Sequence, residues 1–259
     1  MIHLKSEQEI RNIREGGAIL AAILAEASAR VEPGVTTVEL DAFIEERMIA
    51  AGGEPSFKGY RSGRSRPFPH AACVSINSEV VHGLAAPARK LKSGDLLKLD
   101  VGLRYKDGYT DMAATVPVGQ VSAEALRLMR ATREALTIGI DKVRSGGWIS
   151  DIGKAVDKHV RRQGFSTVKD LVGHGVGKYV HEEPQIPNYF DPSLEPVLIE
   201  PGMVLAIEPM VNAGGDAVRT KPDGWTVITA DGSLSAHFEM TVAVTAKGVE
   251  IMTPLPDSV

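Results

Sequence analysis

Apolar residues recur at three- and four-residue intervals from Ile10 to Leu24, with Ser6 ahead of them and Glu9 three places further on. That spacing predicts an amphipathic helix from about Glu7 to Ala29, opened by a capping box. Val31-Glu32-Pro33-Gly34 ends it. Thr36-Thr37 start a second helix, about Val38 to Ala51, which Gly52-Gly53 stop. The same plan returns later. A helix over about Glu124 to Val143 ends at Ser145-Gly146-Gly147, and Ser150-Asp151 start another, about Ile152 to Gln163, closed by Gly164. At one constant offset Val31 matches Val143, Gly34 matches Gly146, Leu40 matches Ile152, Ile44 matches Val156 and Gly52 matches Gly164. Shared helix-ending glycines point to two related halves, about residues 6–120 and 121–253, within one domain spanning 1–259.

Between the helices the pattern shortens to that of strands. Leu97 to Asp111 reads as a strand, a turn at Asp107-Gly108 and a returning strand. Asp is depleted in strands, so Asp100 in the middle of an apolar run asks for a reason. Any hairpin loop with an even number of residues puts Asp100 and Asp111 on one face. A loop over Arg104 to Asp107 sets them opposite and a two-residue Asp-Gly turn staggers them, so the register stays open. Two carboxylates on one buried face repel unless they share a proton or a cation.

The later strands echo the earlier ones. Gly94 to Asp100 resembles Gly202 to Glu208, each a glycine, five residues and an acid. Asp111-Met112 followed by Val116 resembles Glu239-Met240 followed by Val244. If the halves pack about a pseudo-two-fold axis, Asp100, Asp111, Glu208 and Glu239 converge, and a metal site follows. Alternation places His237, Glu239 and Thr241 on one strand face with Phe238, Met240, Val242 and Val244 behind. Val172 to Lys178 is glycine-rich but lacks the spacing and the hydroxyl residue of a phosphate loop. Its His174, flanked by Gly173 and Gly175, suits close backbone approach and a ligand. Acids with one imidazole make an oxygen-rich site for Mn, Fe(II), Co or Zn. With a single cysteine there is no Cys cluster, so a structural zinc is not expected.

Composition narrows the rest. The 259 residues are 43% hydrophobic and 24% charged, ordinary for a globular protein. A net charge of -4 gives no overall basic field for nucleic acid. One cysteine allows no intrachain disulfide, and the opening residues lack a signal-peptide core, so a cytoplasmic protein with no membrane span and no DNA partner is expected.

Asp100, Asp111, His174, Glu208 and Glu239, in that order, resemble the five metal ligands of the type I methionine aminopeptidases. So do Cys73-Val74-Ser75-Ile76-Asn77, Val81-His82-Gly83, Gly173-His174-Gly175-Val176-Gly177, His181-Glu182-Glu183-Pro184, Ile207-Glu208-Pro209-Met210 and Trp225-Thr226-Val227. The resemblance covers nearly the whole chain. It implies the pita-bread fold, an α/β (α+β) arrangement of two pseudo-symmetric halves with a central antiparallel sheet and outer helices. It also implies a metal-dependent hydrolase, acting in protein maturation, that removes the initiator methionine from nascent polypeptides when the second residue is small.

Carried over residue by residue, Asp111 and Glu239 would bridge two divalent ions, Asp100 would chelate one, and His174 and Glu208 would bind the other. Glu208 would also shuttle the proton of the attacking water. His82 and His181 would act on the substrate and not on the metal. Cys73, Phe68, Trp225 and Tyr60 would line the methionine pocket. The resemblance implies a monomer that meets chain ends, with the ribosome exit region as a further partner.

Departures from the family pattern are the basic insert Arg61 to Arg66, Val180 where many members have Phe, His237 where several have Gln, and Met240 where His is common. None is expected to touch a metal ligand. The insert reads as a solvated loop, with an acidic partner such as ribosomal RNA as the alternative. Competing readings are Cys73 as a nucleophile, a binding protein on the same fold without catalysis, and an Xaa-Pro peptidase.

Overall fold

The computed structural model describes residues 2–61, 63 and 66–256. Four helices lie close to where the apolar spacing places them: α1 (Glu7–Ser28), α2 (Thr37–Ala50), α3 (Ala123–Ile140) and α4 (Ile149–Arg162). The Ser6 hydroxyl accepts from the Glu9 N–H while the Glu9 carboxylate accepts from the Ser6 N–H, so the expected capping box forms. Thr36 and Glu39 repeat it on α2. Helix α4 starts earlier than Ser150-Asp151 suggest, and its cap residue Trp148 makes no side-chain bond. Neighbouring backbone sets that start instead: the Ile149 N–H donates to Val197 O, and Trp148 bridges to Leu198.

Nine strands among the described residues form one antiparallel sheet. Its order is Glu54–Pro55, Leu96–Tyr105, Gly108–Pro117, Glu239–Thr245, Val204–Ile207, Gly173–Gly175 and Glu182–Ile186. Ala72–Ile76 also pairs with Leu96–Tyr105, and Gly248–Ile251 with Glu239–Thr245. Two short sheets accompany it, one centred on Met210–Asn212 and one on Val227–Thr229. No described helix is long and apolar enough to cross a membrane.

The register left open by the sequence is settled by the turn. Tyr105 pairs with Gly108, so Lys106-Asp107 form the two-residue loop, both with positive φ (46° and 63°). This suits a type I′ hairpin and moves the turn one residue before the expected Asp107-Gly108. Asp100 consequently faces Ala113 and Asp111 faces Gly102. The two carboxylates share a face along a diagonal, close enough for one cation to reach both.

On the other face Leu99, Val101, Met112 and Ala114 join Leu20, Leu24, Leu136 and Val156 from the helices in one buried core. Each fully buried leucine or valine contributes about 1.5–3 kcal/mol before entropy is charged against it. Alternation therefore does two jobs on the same strands. Odd positions of Leu96–Tyr105 anchor the helices, and Asp100 is turned to the opposite side.

Candidate metal centre

Five strands or strand ends deliver the five ligand candidates. Asp100 and Asp111 come from the central hairpin, Glu239 opens its strand, and His174 is the middle residue of Gly173–Gly175. Glu208 follows directly after Val204–Ile207, where Pro209 cannot donate to the ladder. The glycines beside His174 are needed for space. A Cβ at Gly173 would lie 2.5 Å from Ala206 O, and one at Gly175 would lie 2.2 Å from Glu183 O. Flanking backbone thus presses on both sides of His174, as its glycine setting suggests.

The ligand atoms gather into three groups, each within 4.8 Å: Asp100–Asp111–Glu239, His174–Glu208–Glu239 and Asp111–His174–His181. Asp111, Glu239 and His174 each belong to two of them, and of these the two carboxylates each have two oxygens with which to serve two neighbours. His181 enters one group although no ligand role is expected for it. Its ring packs edge-on to His174, with centroids 4.5 Å apart, and edge-on to Tyr60 at 4.9 Å.

Electrostatics make this cluster costly as protein alone. Burial raises the carboxyl of Asp100 to about 7. Burial and then the neighbouring acids push Asp111 and Glu239 well above the usual carboxylate range, and burial does the same to Glu208. Asp100 Oδ1, Asp111 Oδ1 and Glu239 Oε1 are buried with no hydrogen-bond partner. Buried acceptors of this kind are stable only with a donor or a cation.

His174 sharpens the point. Its Nδ1–H donates to Gly175 O at 2.9 Å, which leaves the Nε2 lone pair facing Glu208 Oε1 at 3.4 Å and Asp111 Oδ2 at 3.9 Å. Burial holds this imidazole at about 3, so it is neutral. A lone pair aimed at carboxylate oxygens calls for a cation between them, and an imidazole fixed by a backbone acceptor is the usual form of a metal-binding histidine. The residues present fit divalent metal.

The cluster forms one wall of a cavity of about 210 Å³. Tyr60, Phe68, Cys73, His82, His181 and Trp225, all expected from the sequence, line the same cavity. Phe68 stands edge-on to Trp225 at 5.2 Å. Phe57, Phe68, Cys73 and Val180 form a buried apolar cluster beside the acids. Cys73 pairs with Asp100 across the strands. Burial, and then the nearby Asp100 charge, push its thiol well above the ordinary value, so the thiolate a nucleophile needs is suppressed. His82 occupies a turn with φ of 58°, edge-on to Trp225 at 6.4 Å, and burial lowers it to about 4.

Phe57 and Leu171 also line the cavity and were not singled out by sequence, while Val81, Val172 and Met210 line it from within the quoted motifs, with no pocket role expected for them. Leu171 directly precedes the glycine-rich stretch, a signal that could have found it. Another expectation is overturned. His237 lies 3.5 Å from Glu208 Oε2 through Nε2, although no departure from the family pattern was expected near a ligand. The strand breaks at Phe238, so Ser235–His237 pairs with Met210–Asn212 while Glu239 enters the large sheet. Of the basic insert, Ser62, Arg64 and Ser65 lie outside the described residues.

The pattern of metallopeptidase family M24 matches residues 11–246. The chain belongs to that family. This metallopeptidase is 45% identical to a methionine aminopeptidase of Clostridium perfringens, over 98% of its own length and 99% of the relative's. It is 43% identical to methionine aminopeptidase 1 of Bacillus subtilis over the same shares. The crystal structure of the Thermotoga maritima methionine aminopeptidase matches it with a TM-score of 0.92 at 40% identity, covering 98% of this chain and 99% of that one. The metallopeptidase accordingly has the pita-bread fold of the methionine aminopeptidases.

Proposed function

We propose that this metallopeptidase removes the N-terminal methionine from newly made polypeptides when the second residue is small. The observation that carries the reading is one cavity joining a carboxylate-and-imidazole wall to a short apolar recess built from Phe57, Phe68 and Cys73.

In this reading Asp100, Asp111, His174, Glu208 and Glu239 would hold two divalent ions drawn from Mn, Fe(II), Co or Zn. When bound, such ions polarise a carbonyl and lower the pKa of water. Glu208 accepts the proton of the attacking water and passes it to the leaving amine. His82 and His181 contact the substrate on either side of the scissile bond, and His181 steadies its carbonyl oxygen. The free α-amino group binds at the acidic wall. An unbranched thioether enters the recess, where Cys73 and the aromatic rings offer contact without a polar demand.

The chain acts as a single catalytic domain of two related halves, about 6–120 and 121–253. The same reading makes it a cytoplasmic monomer that meets chain ends near the ribosome exit.

A panel of Met-Xaa and Leu-Xaa peptides beside Gly-Pro tests the substrate. Preference for Met over Leu should be worth about 1–3 kcal/mol, since shape differences in an apolar pocket are worth no more. Rejection of bulky second residues should be steeper, because a clash moves the carbonyl away from the reacting groups. Preferred cleavage of Gly-Pro, or equal cleavage of Met-Ala and Met-Arg, would overturn the proposal.

A further inference from the structure

His237 stands behind the carboxylates and not in the cavity. Its side chain is 1% exposed and neither ring nitrogen has a hydrogen-bond partner. Nε2 lies 3.5 Å from Glu208 Oε2 and 3.9 Å from Glu239 Oε2. The other Glu208 oxygen, Oε1, faces His174 Nε2 at 3.4 Å. Two imidazoles therefore bracket one carboxylate, one to each oxygen.

Their tautomers are set differently. His174 gives its Nδ1 proton to Gly175 O and presents a lone pair at Nε2. Among the described residues His237 has no acceptor at Nδ1, so its proton can sit on Nε2, which faces carboxylate oxygens of Glu208 and Glu239. Its backbone is clamped by Thr115, whose hydroxyl accepts from the His237 N–H at 2.9 Å and donates to His237 O at 2.8 Å. Strand geometry, not solvent, thus aims the ring. Asn188 reaches Glu208 only at its backbone carbonyl.

We propose that His237 is a positioning residue of the metal centre, donating Nε2–H to Glu208 Oε2 and so holding Oε1 toward His174. The inference rests on the reading of Glu208 and His174 as metal ligands. A carboxylate that gives one oxygen to a cation keeps a second one, and in a buried site that oxygen needs a donor. Glutamine at this position can supply an N–H from a side chain of similar reach, whereas leucine supplies none.

The test adds Co(II) to metal-free wild type, His237→Gln and His237→Leu, and reads affinity by calorimetry and ligand field by visible absorption. His237→Leu should bind about 10–100-fold more weakly with band positions kept, and His237→Gln should stay within about threefold of wild type. Wild-type affinity in His237→Leu overturns the proposal. So do shifted bands in both variants, which would make His237 a ligand itself. Should His237→Leu fail to fold, ring ¹⁵N spectra of the Zn(II)-loaded wild type still decide: protonated Nε2 supports the proposal and unprotonated Nε2 overturns it. Wild type that binds no Co(II) at all overturns the metal reading beneath it.

Discussion

Lys5 and Glu182 form an ion pair in the interior, each side chain only 3% exposed. Burial lowers the Lys5 ammonium despite its partner, and Glu182 also accepts from the Lys178 and Tyr179 N–H groups. The pair ties the segment before α1 to the loop that carries His181. Lys5→Met leaves a buried carboxylate uncompensated and should cost about 3–5 kcal/mol. Adding Glu182→Gln should recover much of that loss. Denaturant unfolding of the two variants checks it, and equal stabilities would mean that the pair does not act as a unit.

Removing metal should both stop hydrolysis and soften the fold. The buried acids repel one another without a cation, so exhaustive chelation should abolish activity and lower the melting temperature. Mn(II) or Co(II) at about a hundred times its dissociation constant should restore about 2.7 kcal/mol. Undiminished turnover by protein shown to be metal-free would refute the metal reading.

Two of the candidate catalytic groups, Glu208 and His82, should fail differently. Glu208→Gln keeps the shape but loses the proton acceptor and a ligand charge, so kcat should fall by about 10²–10⁴ and metal content should drop. His82→Ala should reduce kcat/KM with metal content unchanged. Elemental analysis beside steady-state kinetics separates them, and an ion lost from His82→Ala would make that residue a ligand.

His82 also predicts an acid-side effect on stability. Its folded value is about 4 against 6.5 for an ordinary histidine. Between those values the unfolded chain binds a proton that the folded chain refuses. The stability tied to this residue is therefore complete above pH 6.5 and is lost as pH falls toward 4, by up to about 3 kcal/mol. The wild-type minus His82→Gln difference in unfolding free energy should fall across that window. A flat difference would remove His82 from the account.

The helices and the acids were legible because each rests on local chemistry. Ser6 and Glu9 specify a cap within one turn, and the Gly-His-Gly setting of His174 announces a tight approach that the backbone contacts at Gly173 and Gly175 bear out. The start of α4 was misplaced because Val197 and Leu198, far along the chain, set it. The turn was misplaced because Lys106 adopts positive φ where Gly108 looked the better candidate. His237 was underrated because alternation along one strand says nothing of a break at Phe238. The α4 miss is a tertiary contact overriding a local preference, and the other two are backbone choices that residue type alone does not fix.

The order of the sheet carries a kinetic meaning. Strand Glu239–Thr245 lies between Gly108–Pro117, which is far from it in sequence, and Val204–Ile207, and both are synthesised before it. Without it those two strands have no partner between them, and Glu239 is missing from both of its ligand groups. Pairings so distant in sequence form slowly. A growing chain of this protein therefore gains the strand that joins the two parts of its large sheet and the last of its five candidate ligands in one stretch of synthesis.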